Sequence, residues 1–345
     1  MNNQLFVSGS PHVHSNESVK KIMWAVVIAL LPALFVSVYY FGLPAIIVTA
    51  VSILSCMLFE YLIQRFLLKG KNTLGNGSAV ITGLLLAFNL PSNLPLQWVV
   101  IGAFVAIVIG KMAFGGLGRN PFNPALVGRV FLLISRPVEM TSWPVPEPIW
   151  SFGVDAVTGP TPLGVMKMLS QESSVSQYGD FVDPVTFQEM PNYAQMLFGQ
   201  MGGSFGEISV VALLVGALFL LFRKIITWHI PVSFILSSFL LAGALYWYNP
   251  ACYVNPFFHI VTGGLILGAC FMATDMVTSP SSPWGMIVFG TGCGILTIVI
   301  RVFGAYPEGV SFAILLMNAM TPLINKAFKP KRFGEKNGST GICIL

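Results

Sequence analysis

Residues Asp155-Ala156-Val157-Thr158-Gly159-Pro160-Thr161-Pro162-Leu163-Gly164 set a hydroxyl side chain, Thr161, on a Gly/Pro turn. Such Thr/Gly/Pro turns are ordinary in loops. A second stretch runs from Gly110 through Lys111, Gly115, Gly116, Gly118, Asn120 and Asn123 to Arg129. It lacks the strand, helix and Lys-Ser/Thr context of a phosphate loop. What remains is a Gly-rich entry to a short helix, with Asn120 and Asn123 three residues apart at its mouth. Their amides offer donors and acceptors suited to the edge of a flat heterocycle, or they cap the helix.

Asp275 adjoins a short apolar run, where a carboxylate either ligates or gates a cation or caps a helix. Arg129 lies inside an apolar segment and needs a counter-charge, for which Glu60 is one choice. His12 and His14 are two apart on a polar arm, with no further ligands in reach for a metal. Cys56, Cys252, Cys270, Cys293 and Cys343 are scattered without a C-x-x-C pair and read as small buried hydrophobes. Neither a metal site nor a catalytic acid–base pair is identified.

These residues sit in a chain that is 55% hydrophobic and 9% charged over 345 residues, against about 25% charged in soluble domains. That excludes an ordinary soluble protein and makes lipid the solvent. A net charge of +5 would suggest nucleic acid in a soluble chain. Here the basic residues flank apolar runs and are topology signals, so no nucleic-acid partner is expected. Apolar runs of near-spanning length occupy 22–41, 44–64, 96–114, 208–222, 229–248, 284–302 and 310–328, and the polar residues before the first predict that it stays as a helix. Shorter runs at 78–90, 124–135 and 260–273 carry Gly, Thr or Pro at their ends and read as half-length or broken helices.

Ten segments with the N-terminus inside leave only Arg136, Lys167 and Arg301 of the 18 Lys and Arg on the outer side, with Arg129 within a segment. This asymmetry predicts both termini in the cytoplasm and the 136–207 loop outside. Ile81-Thr82-Gly83 matches Val261-Thr262-Gly263, and the Gly110-Lys111 stretch matches Ile300-Arg301. With five segments per half, the halves have opposite orientation. The expected fold is therefore an all-α polytopic membrane protein of about ten segments in two inverted repeats. Its parts are an arm (1–21), a first repeat (22–135), the outer loop (136–207), a second repeat (208–328) and a tail (329–345).

The loop motif resembles the D-x-x-[ST]-G-x-T sequence at which a flavin transferase moves FMN from FAD to a threonine hydroxyl. Thr161 stands at the acceptor position, with Asp155, Thr158 and Gly159 in the recognition pattern. Ala156, Thr158 and Pro160 stand where Gly, Ser and Ala are more usual. Such an acceptor must protrude, with little bulk behind it, to attack a metal-bound pyrophosphate. With Ser10-Pro11-His12-Val13-His14, the Asn120-Pro121-Phe122-Asn123-Pro124 run and Phe271–Pro280, the chain is similar nearly throughout to the D-subunit family (RnfD) of Rnf ion-translocating electron-transport complexes. The B subunit of the sodium-translocating NADH:quinone reductase (NqrB) is a homologue.

The resemblance implies a covalent FMN on Thr161 and a non-covalent riboflavin in the bundle near Thr82, Asn120 and Asn123. Arg129, by its depth alone, is a partner for a flavin or for an acid. It implies an enzyme only as part of a complex in the bacterial inner membrane that couples ferredoxin-to-NAD electron flow to sodium or proton movement. The partners would be a second FMN-carrying subunit, iron-sulfur membrane subunits, the flavin transferase and the bilayer. Two alternatives stay open: a component of a quinone reductase, and a transporter or channel without cofactor, for which the inverted repeat suffices.

Overall fold

The computed structural model describes residues 18–68, 73–146, 158–171, 191–250 and 252–329. Asp155, the arm carrying His12 and His14, Cys343 and nearly all of the tail lie outside the described residues.

Helix α1 spans Val19–Leu62, 44 residues. Straight, it would be about 66 Å long, twice the thickness of a hydrocarbon core. It is bent at Gly42, where φ 61 and ψ −143 leave the helical region, a conformation essentially reserved for glycine. Both ends of the resulting hairpin meet α2 (Ser78–Phe88). A Cβ on Gly77 would lie 3.3 Å from Trp24 Nε1, and Glu60 is joined to Ser78 through Lys111. The two arms are the spans expected at 22–41 and 44–64.

Helix α2 lies against the second arm, where Ser52 Oγ donates to the Gly83 carbonyl at 2.7 Å. Helix α3 (Leu96–Phe104) runs on into a π turn, Val105–Ile109, and α4 is Pro124–Ser135. The second half comprises α8 (Val210–Phe222), α9 (His229–Tyr248), α10 (Pro256–Val261), α11 (Leu265–Leu267) with a π turn at Gly268–Met272, α12 (Pro283–Phe303) and α13 (Val310–Ala327). Among the described residues, five helices are long and apolar enough to cross a membrane, and α2, α4 and α8 are shorter apolar helices. Phe35, Leu54, Leu240 and Phe303 face outward, as lipid-facing side chains do. The chain is an all-α polytopic membrane protein.

One expectation is corrected: the run at 208–222 is not full length, since Ser209 caps α8 and 13 residues rise only about 20 Å. The run at 260–273 is broken, as its Gly and Thr punctuation predicts, at Thr262–Gly264, with φ 65 at Gly263 and φ 64 at Gly264.

Corresponding elements of the two halves start at opposite ends. Ile22, Ser78 and Pro124, at the starts of α1, α2 and α4, line one cavity together with Asp275, which follows the short segment of the second half. Glu207, Thr262 and Glu308, at the starts of α8, α11 and α13, line another. We call these the termini face and the loop face. The loop contributes α5 (Pro137–Thr141), α6 (Pro162–Gln171), α7 (Tyr193–Phe198) and a two-residue ladder pairing Trp143 with Gly159 and Pro144 with Thr158.

Gly42→Ala is expected to destabilise the protein by about 1–3 kcal/mol through backbone strain alone, since a Cβ there meets nothing within 4 Å. Thermal unfolding in detergent checks this.

Candidate functional site

The termini-face cavity brings Thr82, Asn120, Asn123 and Asp275 together, with Ser78, Lys111 and a largely apolar wall that includes Leu85, Leu117 and Phe271. The open space it encloses, with solvent at its mouth, is about 810 Å³. Thr82 Oγ1 donates back to the Ser78 carbonyl at 3.0 Å. Asn120 Nδ2 donates to the Phe122 carbonyl at 3.0 Å and shapes the turn. Asn123 takes the capping role: its Oδ1 accepts from Ala125 N–H at 3.1 Å. Its Nδ2 donates to the Met272 carbonyl at 3.2 Å, which ties α4 to the second half. Asp275 accepts from Val277 N–H and from Thr278 Oγ1, each at 3.4 Å, so it holds its own turn while lining the cavity. Among the described residues no three metal-ligating side chains converge.

Sequence reasoning missed the ion pair beside this cavity. Lys111 Nζ lies 2.6 Å from Glu60 Oε2 and 2.8 Å from Ser78 Oγ, with both charged side chains at most 2% exposed. Gln64 and Thr73 hold the other side of the Glu60 carboxylate. Each of the three π turns, Ile63–Leu67, Val105–Ile109 and Gly268–Met272, adjoins this cluster or the cavity wall. Such turns recur at functional sites. The signal available in the sequence was a basic residue directly after an apolar run with one buried acid elsewhere.

Arg129 therefore does not pair with Glu60. Its Nη1 lies 3.2 Å from Glu207 Oε1 and donates to Asn89 Oδ1 at 2.6 Å and to Ser311 Oγ at 2.8 Å, while Nη2 pairs with Glu308. The reason is position: Arg129 lies a turn and a half into α4, toward the loop face, whereas Glu60 lies at the termini face beside Lys111. Burial raises the Glu207 carboxyl above the usual carboxylate range, opposed by Arg129 and reinforced by Glu308.

Thr161 lines the loop-face cavity with Glu207, Glu308, Thr262 and Gly263. It does not protrude as the motif suggested. It is 7% exposed, and its Oγ1 accepts from Gly164 N–H at 3.0 Å, capping α6. Thr158 is exposed and Gly159 half-buried on the short ladder. The position of Asp155 lies outside the described residues.

Arg301, at the end of α12, has its guanidinium on the carbonyls of His259, Thr262 and Gly263 at 2.6–2.9 Å. Lys111 and Arg301, matched in the sequence, thus each follow a full span and reach the start of a short helix, on opposite faces.

Residues 6–334 match the family described as the NQR2, RnfD, RnfE family. The chain belongs to that family. It is 43% identical over 330 residues to the D subunit of a proton-translocating ferredoxin:NAD(+) oxidoreductase complex from Clostridium ljungdahlii, covering 96% of each chain. It is 43% identical over 335 residues to the D subunit of the Na(+)-translocating counterpart from Acetobacterium woodii, covering 96% of this chain and 95% of that one. The D subunit of an ion-translocating oxidoreductase complex from Pectobacterium carotovorum is 36% identical over 352 residues, covering 96% and 99%.

Lys111→Met is expected to cost about 3–5 kcal/mol by stranding Glu60, and the Lys111→Met, Glu60→Gln double variant much less than the sum of its singles. Denaturant titrations of the four proteins in detergent measure the coupling.

Proposed function

We propose that this chain is the D subunit of an ion-translocating ferredoxin:NAD+ oxidoreductase complex in the bacterial inner membrane, with both termini cytoplasmic. What carries this reading is the full-length relationship, at 43% identity, to the D subunits of two such complexes. It would act only with partner subunits, among them a second FMN-carrying subunit and membrane iron-sulfur subunits. A cofactor-free transporter would leave Thr161 without a role at the loop-face cavity.

Thr161 would carry FMN as a phosphodiester. Its Oγ1 displaces AMP from FAD on the flavin transferase: a bond forms from Oγ1 to the FMN phosphorus, the pyrophosphate bridge breaks, and the hydroxyl proton leaves to a base or solvent. A phosphate on Thr161 would lie at the N-terminus of α6, where the helix dipole favours negative charge. What supports riboflavin at the termini-face cavity is an apolar lining with a few convergent polar groups, among them Thr82, Asn120 and Asn123.

Bound flavin supplies one- and two-electron chemistry that no side chain here provides. The chain's own residues hold it and exclude water: Leu85, Leu117 and Phe271 wall the slot, Asn120 and Thr82 offer polar contacts, and Lys111 supplies positive charge offset by Glu60. Asp275, in the same cavity, is placed to meet an entering sodium ion or proton. Burial raises its carboxyl above the usual range, while Val277 N–H and Thr278 oppose the shift.

Coexpressed with its transferase, the wild-type chain is expected to give a band fluorescent under ultraviolet light after denaturing electrophoresis, and Thr161→Ala a dark one. A dark wild-type band, with the transferase active on another substrate, overturns the reading. Asn120→Ala is expected to keep the covalent band and to weaken retention of the flavin released on denaturation by up to about tenfold, the worth of one hydrogen bond. Chromatography of the supernatant reads it.

A further inference from the structure

Thr161 is out of reach of any modifying enzyme while α6 is docked. Its side chain is buried, and its hydroxyl is engaged by Gly164 at the start of α6. The helix is held down in two ways. Leu163 and Met166 pack with Phe258 and Val261 of α10 and with Met196 and Met201. Lys167 reaches sideways to α12, where its Nζ donates to the carbonyl of Arg301 at 3.3 Å and to that of Gly304. Arg301 lies in the last turn of a 21-residue helix and Gly304 is its C-cap; at such an end carbonyls lack intrahelical partners and the negative end of the dipole lies.

Lys167 is six residues beyond Thr161, less than two turns along the same helix. Its grip on α12 therefore fixes the direction of α6 and, with it, where the Thr161 hydroxyl points: into the cavity lined by Glu207, Glu308, Thr262 and Gly263. The apolar contact beneath α6 is small beside the main core of the bundle. Segments with few buried contacts open locally well before the whole fold does.

We propose that Lys167 is the positioning residue of the Thr161 site, clasping α6 to the C-terminal end of α12, and that this clasp opens for Thr161 to be modified. The inference rests on the reading of Thr161 as the FMN acceptor. The step is the one given above: Thr161 Oγ1 gains the FMN phosphoryl group of FAD, AMP leaves, and the hydroxyl proton is released.

The test uses the full chain, expressed without transferase and purified in detergent, then mixed with transferase, FAD and magnesium. Fluorescence of denatured bands gives the rate of loading, and hydrogen exchange with mass spectrometry on the same samples gives the opening of residues 162–169. Lys167→Met is expected to load at least threefold faster than wild type and to exchange faster over 162–169 by a similar factor. Lys167→Arg, which keeps the donor, stays within twofold of wild type in both. Met166→Ser loosens the apolar contact instead and is likewise expected to load faster. Unchanged loading and exchange in Lys167→Met and Met166→Ser overturn the clasp, as does a Lys167→Arg variant that behaves like Lys167→Met. Fluorescence that persists in Thr161→Ala overturns the acceptor reading instead, and the exchange measurement still reports on the clasp.

Discussion

A helix that stops at membrane depth leaves backbone donors and acceptors that neither lipid nor the helix itself can satisfy. Much of the buried polar chemistry in this structure answers that constraint. The Arg301 guanidinium supplies donors to three carbonyls where the second-half helix breaks. Asn123 Nδ2 meets the carbonyl of Met272 at the end of a π turn. Asn89 follows α2 and donates to the Leu85 carbonyl at 2.5 Å. Ser37 and Ser52 donate to the carbonyls of Phe205 and Gly83. The bond from Asn123 to Met272 also ties the first half to the second.

Arg129 is where that binding becomes electrostatic. Its guanidinium, in the first half, takes acceptors from Asn89 after α2, Glu207 before α8, Glu308 before α13 and Ser311 in α13. A charge this deep is tolerated only when paired and hydrogen-bonded. The two acids are offset by Arg129 together with the nearby Arg301, so the cluster is close to neutral. It lies under the loop-face cavity that Thr161 lines. Glu207 reaches it only because Gly264 has no side chain: a Cβ there would meet Glu207 Oε2 at 2.6 Å. The glycine pair that breaks the helix thus also makes room for the acid.

The positions of the short segments were legible because apolar length and Gly/Pro punctuation are local properties. The runs at 78–90 and 124–135 became α2 and α4 within two residues at each end. The run at 208–222 was misjudged because its apolar length exceeds its helical length: Ile208 is buried but precedes the Ser209 cap. At the site, Thr82, Asn120, Asn123 and Asp275 were singled out separately, and the structure puts all four around one cavity. Lys111 and Glu60 were in view only as a topology signal and as a counter-charge for Arg129. Their pairing depends on where α3 ends relative to the second arm of α1, which no sequence spacing encodes.

The sequence by itself determined a chain that must live in lipid, its apolar segments, the short or broken character of those at 78–90, 124–135 and 260–273, and the hydroxyl motif in the long loop. Each follows from composition or from residues close along the chain. Only the tertiary structure decided that Glu60 belongs to Lys111 and Arg129 to Glu207 and Glu308, since a buried charge takes whichever counter-charge the packing of helices brings within reach. Only the tertiary structure buried Thr161 as well. A Thr-Pro turn followed by ten helical residues reads locally as an exposed loop entry, and its burial comes from Lys167 and the apolar face of α6 finding the ends of α12 and α10, more than 80 residues further along the chain.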